Sequence, residues 1–273
     1  MNADPIIGIF DSGVGGLTVL KAIRSCLPEI PVVYYGDTAH MPYGDKSPDL
    51  IRSYTRRIVR FLVDRGASHI VIACNSASAV AGDIARQEAG SRVPVTDVVE
   101  PVVQEVAQRS RLHCVGIIGT RATIQSGIYQ KHLAALRPDL DVRSLATPLL
   151  APLVEEGFAG TPVAREVIRH YLKNELFRPI ECLIPACTHY PFLFEDLNDF
   201  FWGRVTILDT PHIVAHAVQK QLSDRIVSRQ NKQSESPVQV HFSMDTLSFR
   251  QLCRLFLGSD QEITESPLSS LPD

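Results

Sequence analysis

The stretch His69-Ile70-Val71-Ile72-Ala73-Cys74-Asn75-Ser76 decides the fold. Residues 69–73 form a short apolar run, rich in β-branched side chains, that stops abruptly at polar residues. That pattern predicts a buried β-strand ending at Cys74, with a helix over Asn75–Gln87. The same unit recurs upstream. Ile6–Phe10 is a strand ending at Asp11, and Gly13, Gly15 and Gly16 turn the chain into a helix near Leu17. Val32–Tyr35 is a strand, and Gly36–Lys46 is rich in turn residues. Ser47 then predicts an N-cap with Pro48 at the first helical position. Leu50, Ile51, Tyr54, Ile58, Phe61 and Leu62 follow at helical spacing, and Gly66 is the stop.

Downstream, Val115–Ile118 and Val142–Leu145 read as strands, and Thr120–Thr123 opens a helix. Pro162–Leu176 is a helix, Glu181–Pro185 a strand running into Ala186-Cys187, and Val205–Leu208 a strand ending at Asp209. Strands alternating with helices imply an α/β fold with parallel sheets covered on both faces. Ligands of such sheets sit beyond the carboxyl ends of the strands. Asp11, Cys74, Thr120, Cys187 and Asp209 all follow strands, so they are expected to converge on one cleft. A faint internal echo supports two similar halves, with HIVIACNS beside ECLIPACTH and IGIFDS beside VGIIGT. Ser228–Pro237 reads as a loop, Val238–Phe242 as a strand, Thr246–Leu257 as an amphipathic segment, and residues 258–273 as a weakly ordered tail.

Composition narrows the function. Of 273 residues, 45% are hydrophobic and 21% charged, as in soluble globular proteins. The formal net charge of −3 offers no basic stripe for nucleic acid and no polybasic patch for a membrane. No apolar run reaches the ~20 residues that span a bilayer, and the N-terminus lacks a signal-peptide pattern, so a cytoplasmic location is expected. The six cysteines contain no CxxC pair and are expected to be free thiols.

Two of them stand apart. Cys74 and Cys187 each end a strand and are followed by polar residues, whereas Cys26, Cys114, Cys182 and Cys253 lie in apolar or helical stretches that suit small core residues. At a helix N-terminus the macrodipole and free N–H groups are expected to lower the Cys74 thiol pKa toward neutrality. Thiols on opposite walls of a cleft suit inversion of a stereocentre, with a base on one face and an acid on the other. His189, two residues past Cys187, is placed to stabilise a thiolate or act as an acid, though a lone histidine is more often structural. Asp11 could move a proton, bind an ammonium or cap a helix. The Gly13–Gly16 turn can aim N–H groups at an anion, but it is not the GxGxxG fingerprint. Of Glu155 and Glu156, at least one is expected to be a solvated loop charge. A zinc site from Cys74, Cys187 and His189 lacks paired ligand spacing, so no metal is expected.

Together the segments IGIFDSGVGGLTVLKAI, VVYYGDTAHMPYGDKS, IVIACNSASA, VGIIGTRATIQSGIY, PLVEEG, ACTHYPFL and HFSMDTLSFRQLCRLFLG span nearly the whole chain. With them the chain resembles the glutamate racemases of bacterial cell-wall synthesis, within the wider aspartate/glutamate racemase superfamily. The resemblance implies two similar parallel-sheet α/β domains related by pseudo-twofold symmetry, with the site in the cleft between them. It divides the chain into residues 1–97 plus 210–273 and residues 98–209. It implies interconversion of L- and D-glutamate without pyridoxal phosphate or any other cofactor, with Cys74 and Cys187 as the proton-transfer residues. Asp11 and His189 become their assistants, and Glu155 a further one. Asp11, Ser12, Tyr43, Gly44, Asn75, Ser76, Thr188 and His189 become substrate-binding residues, and a homodimer is implied.

The chain departs from the family pattern at Ser76, where threonine is usual, at Thr147-Pro148, at Pro185-Ala186 and at Leu208–Pro211. None of these removes a catalytic group. Rival readings are an aspartate racemase, a hydrolase or isomerase with one nucleophilic cysteine, and a non-catalytic protein on a racemase scaffold. The segment matches favour glutamate over aspartate. The presence of both cysteines, Asp11 and His189 argues against the other two.

Overall fold

The computed structural model describes residues 5–226, 236–245, 247–258 and 262–271. The first half runs β1 (Ile7–Asp11), α1 (Leu17–Cys26), β2 (Val32–Gly36), α2 (Pro48–Asp64), β3 (His69–Ile72), α3 (Asn75–Ala89) and β4 (Val95–Asp97). The second begins with α4 (Val99–Gln108), β5 (Cys114–Gly119), α5 (Arg121–Ser126), α6 (Ile128–Leu136) and β6 (Asp141–Ala146). It continues through α7 (Leu150–Glu155), α8 (Pro162–Leu172), β7 (Cys182–Ala186), α9 (Phe194–Phe200) and β8 (Thr206–Ile207). The chain then returns through α10 (Thr210–Ile226), β9 (Val238–Phe242), α11 (Leu247–Leu257) and β10 (Glu262–Glu265).

Two purely parallel sheets result, in the strand orders β10-β9-β2-β1-β3-β4 and β6-β5-β7-β8. Alternate residues of each strand serve opposite faces, so each sheet carries two cores. Ile7, Ile9, Tyr34 and Val71 pack with α1 and α10 on one face of the larger sheet, and Phe10, Tyr35, Ile70 and Ile72 with α2 and α3 on the other. In the smaller sheet Ile118 and Leu183 face α7 and α8, while Val115, Ile117 and Ile184 face α4 and α6. The tips of β1, β3, β5 and β7 therefore leave fully buried strands, and polar residues just past them are the first that can face a cleft.

Local chemistry sets the helix starts. Ser47 caps α2 by accepting from the Leu50 N–H at 3.5 Å, with Pro48 in the first turn, as the sequence predicts. The Thr120 hydroxyl caps α5 in the same way. Glu88 of α3 clamps α2, accepting from Arg56 Nε at 2.9 Å and Arg60 Nε at 2.7 Å. Its carboxylate is only 10% exposed, whereas the arginines are 41% and 37% exposed and can turn to water. Glu88→Ala is therefore expected to cost about 1–2 kcal/mol of stability, read as a lower urea midpoint at unchanged slope.

Two expectations change, and one strand is added. Residues 258–273 are not simply a tail: β10 extends the larger sheet beside β9, the Tyr35 hydroxyl donates to the Ser266 carbonyl at 2.7 Å, and Leu268 and Leu271 are buried. The helix read as Pro162–Leu176 stops at Leu172, and a separate 3₁₀ turn covers Glu175–Phe177. The three-residue strand β4 was invisible to pattern reading because it is too short to show a period. The predicted loop at 228–237 lies outside the described residues except for its last two. No described helix is long and apolar enough to cross a membrane.

Candidate active site

The tips of β1, β3, β5 and β7 meet around one cavity lined by Ser12, Pro42, Tyr43, Gly44, Cys74, Asn75, Ser76, Thr120, Ala151, Cys187, Thr188 and His189. Its enclosed space is about 20 Å³, room for roughly one water molecule and far too little for an amino acid. The cleft is thus closed. A larger hollow of about 300 Å³ opens alongside, lined by Lys46, Val80, Arg121 and Gln125 among others, and shares Gly44 with it. None of the candidate acid–base groups lines that hollow, so the chemistry belongs to the smaller cavity.

Cys74 follows β3 and caps α3, its Sγ accepting from the Ala77 N–H at 3.4 Å. The helix start does favour a thiolate, but burial outweighs it, and with the nearby Asp11 carboxylate it pushes the thiol up to about 12. The expectation of a thiol lowered toward neutrality is wrong for this closed, water-poor cleft, because it weighed the helix dipole and left out the desolvation.

Cys187 follows β7, and its Sγ lies 3.7 Å from Nδ1 of His189. On the other side of the ring, Nε2 of His189 is 3.0 Å from Oε1 of Glu155 at the end of α7. The approach is off the line of a straight hydrogen bond, so neither atom makes a directional one and the contact is an ion pair by proximity. Burial alone would lower the imidazole, but Cys187 and Glu155 together raise it to about 10. His189 is therefore a cation at neutral pH, wedged between sulfur and carboxylate. Glu156 is exposed and fits the expected solvated charge.

A raised histidine pKa contributes stability that is fully present below the unfolded value of about 6.5 and lost as pH rises toward about 10. The Cys74 thiol adds a loss of the same sign only above its unfolded value of about 9. Between pH 6.5 and 9 the unfolding free energy is expected to fall, and His189→Gln to flatten that fall. Urea titrations at pH 7 and 9 measure it.

Asp11, fully buried, accepts from the Gly13 N–H at 2.9 Å and from the Thr188 hydroxyl at 3.2 Å. Gly16, with no side-chain cap, precedes α1, so Asp11 does not cap that helix. Burial raises its pKa, with the His189 cation and the N–H donors pulling the other way.

The remaining polar residues tie the halves together. Ser76 pairs with the Thr120 hydroxyl at 2.9 Å, Tyr129 donates to Asn75 Oδ1 at 2.7 Å, and Thr18 donates to the Thr188 carbonyl at 3.3 Å. Arg121 reaches Asp45 at 2.9 Å at the mouth. Thr120 is in the cleft as expected, but Asp209 is not. It is largely exposed at the start of α10 and pairs with His212 at 2.8 Å, because the two-residue β8 is an edge strand whose tip falls outside the cavity. Pro42, Ala151 and Tyr129 escaped sequence reading, since a proline, an alanine and a core-facing tyrosine carry no chemical signal of their own. Among the described residues no group of three or more His, Cys, Asp and Glu side chains could hold a metal ion.

A model of the Asp/Glu/hydantoin racemase family matches residues 16–218. The chain is 41% identical over 256 residues to a glutamate racemase of Aquifex aeolicus, covering 94% of this chain and 95% of that protein. Among solved structures, it superposes on the glutamate racemase from Francisella tularensis in complex with D-glutamate with a TM-score of 0.89 and 32% identity, covering 99% of this chain and 100% of that one. The glutamate racemase from Thermus thermophilus in complex with β-chloro-D-alanine gives a TM-score of 0.85 and 38% identity, covering 98% and 100%.

Proposed function

The chain belongs to the Asp/Glu/hydantoin racemase family, and on that premise we propose that it interconverts L- and D-glutamate by proton transfer between the α-carbon and two thiols, Cys74 and Cys187. One observation carries the reading. The two cysteines come from separate sheets yet line one cavity, and each has its own polar assistant.

The assistants make the resting site asymmetric. Cys74 is held as a neutral thiol, ready to donate, while the Cys187 Sγ lies 3.7 Å from Nδ1 of His189, the group that can exchange a proton with it. With one enantiomer Cys187 takes the α-proton and Cys74 delivers its own to the opposite face. With the other, Cys74 first passes its proton to Asp11, whose carboxylate burial makes more basic, and then takes the α-proton, while Cys187 receives a proton from His189 and delivers it to the opposite face. Glu155 keeps His189 charged. Ser12, Asn75, Ser76 and Thr188, next to the start of α3, supply donors for the substrate carboxylates. Pyridoxal phosphate takes no part in this route, and closure of the cleft keeps water away from the carbanion-like centre.

We assign residues 1–97 with 210–273 to one domain and 98–209 to the other, with the cleft between them. The protein would act as a cytoplasmic homodimer supplying D-glutamate for peptidoglycan. The test is to follow L-glutamate with the purified protein and no added cofactor by circular dichroism. Decay of the signal to a near-equal mixture, with L-aspartate left unchanged, is expected. Turnover of aspartate alone would move the substrate assignment, and inertness toward both acids would end the racemase reading.

A further inference from the structure

The segment that closes one wall of the cavity, Pro42–Gly44, leads back to a buried acid that the mechanism does not use. Asp37 follows β2 and is fully buried. One carboxylate oxygen accepts from the Tyr43 hydroxyl at 2.6 Å and the other meets Nδ1 of His40 at 2.8 Å. Its backbone N–H donates to the Asp11 carbonyl at 3.0 Å, tying it to the tip of β1. The next residues are pinned as well. The Thr38 hydroxyl donates to the Met244 carbonyl at 2.6 Å, and the Ala39 N–H donates to Ser243 Oγ at 2.8 Å. His40 stacks on Tyr54 with ring centroids 4.4 Å apart, and Tyr54 leans on Tyr43 at 5.7 Å.

The Tyr43 hydroxyl is therefore engaged by Asp37, although the residue lines the cavity. Burial and Asp37 push its pKa well above the usual tyrosine value, so it stays a neutral donor. Gly44 follows within a 3₁₀ turn, and its missing Cβ would lie 2.6 Å from Thr120 of the other half. A wall this close must be placed to within a fraction of an ångström, and the single 3₁₀ turn Tyr43–Asp45 that forms it is too short to place itself.

We propose that Asp37 is a positioning residue for substrate binding: its carboxylate captures the Tyr43 hydroxyl and so sets the Pro42–Gly44 wall at the non-reacting end of the bound amino acid. This deepens the racemase reading and rests on it. A wall touching only the non-reacting end contributes equally to ground state and transition state, so loosening it raises KM and spares kcat. A general folding defect does the reverse, lowering kcat through the active fraction at unchanged KM.

Steady-state racemisation of L- and D-glutamate by the wild-type protein, Tyr43→Phe, Asp37→Ala and Asp37→Asn tests this. Tyr43→Phe removes one hydroxyl from a packed ring and is the variant surest to fold. Losing the 2.6 Å hydrogen bond to Asp37 should raise its KM about tenfold or more for both enantiomers, with kcat within about threefold. Asp37→Ala should do the same or worse, and Asp37→Asn, whose amide oxygen can still accept from Tyr43, should restore most of the affinity. An unchanged KM in Tyr43→Phe, or a fall in kcat alone, overturns the proposal while leaving the racemase reading intact. A wild-type protein inert on glutamate removes the reading itself, and the proposal with it.

Discussion

Replacing either Cys74 or Cys187 by serine is expected to lower racemisation in both directions by about 10³-fold or more, with the unfolding midpoint nearly unchanged. A serine hydroxyl is slightly smaller than the thiol and, at position 74, can keep the hydrogen bond from the Ala77 N–H, but it is too weak an acid to serve as a proton donor or, once the substrate is bound, as a base. Positioned acid–base groups contribute about 10²–10⁴-fold, and here each turnover needs both, one on each face. Exchange of the α-proton in deuterated water, followed by proton resonance for L- and D-glutamate separately, is the measurement. A variant that kept more than a tenth of wild-type turnover would sink the two-thiol route and leave a single-nucleophile mechanism standing. Stability should change little because one buried atom is exchanged for a smaller polar one at a site already lined with donors.

A second large effect is expected far from any acid or base. Adding a Cβ at Gly15 would drive it into the Thr188 hydroxyl and to within 2.7 Å of Nδ1 of His189. Those atoms belong to the other half of the molecule, so the clash does not have to be absorbed inside a core. The cleft can open instead. Gly15→Ala should therefore fold with close to normal stability, yet hold Cys187 and His189 back from Cys74. A displacement of about 1 Å in a two-sided proton transfer costs on the order of 10²-fold, so kcat/KM should fall by about that much. Gly16→Ala is the contrasting control. Its Cβ would meet Asp11 and Tyr34 within the same half, where nothing can swing away. That variant is expected to lose stability as well as activity. Equal stability loss in both would refute the idea that Gly15 marks a movable contact.

Asymmetry between the two cysteines is the feature that motif reading could not supply. Both strand ends look alike in sequence, Ala-Cys followed by polar residues. In three dimensions Cys74 faces a buried carboxylate and Cys187 a buried imidazolium. The partners come from β1 and from the residues just past Cys187 itself, and Glu155 arrives from α7 more than thirty positions earlier in the chain. Only packing brings that carboxylate to the ring, and only packing removes the water whose absence dominates the thiol at Cys74.

The sequence by itself determined the alternation of strands and helices, the N-cap at Ser47, the helix starts after Cys74 and at Thr120, and the positions that follow each strand. Those are local matters of side-chain period, branching and capping chemistry, legible within windows of ten or so residues. It also singled out Cys74 and Cys187 from the other four cysteines, because a polar residue after an apolar run marks the open end of a parallel sheet. The tertiary structure alone decided which strand tips share the cavity and which, like that of β8 with Asp209, stand outside it. It decided that the closing segment 262–271 is a sheet edge rather than a tail. It also set the charge state of each acid and base, since burial and long-range partners are properties of the assembled interior and no stretch of chain encodes them alone.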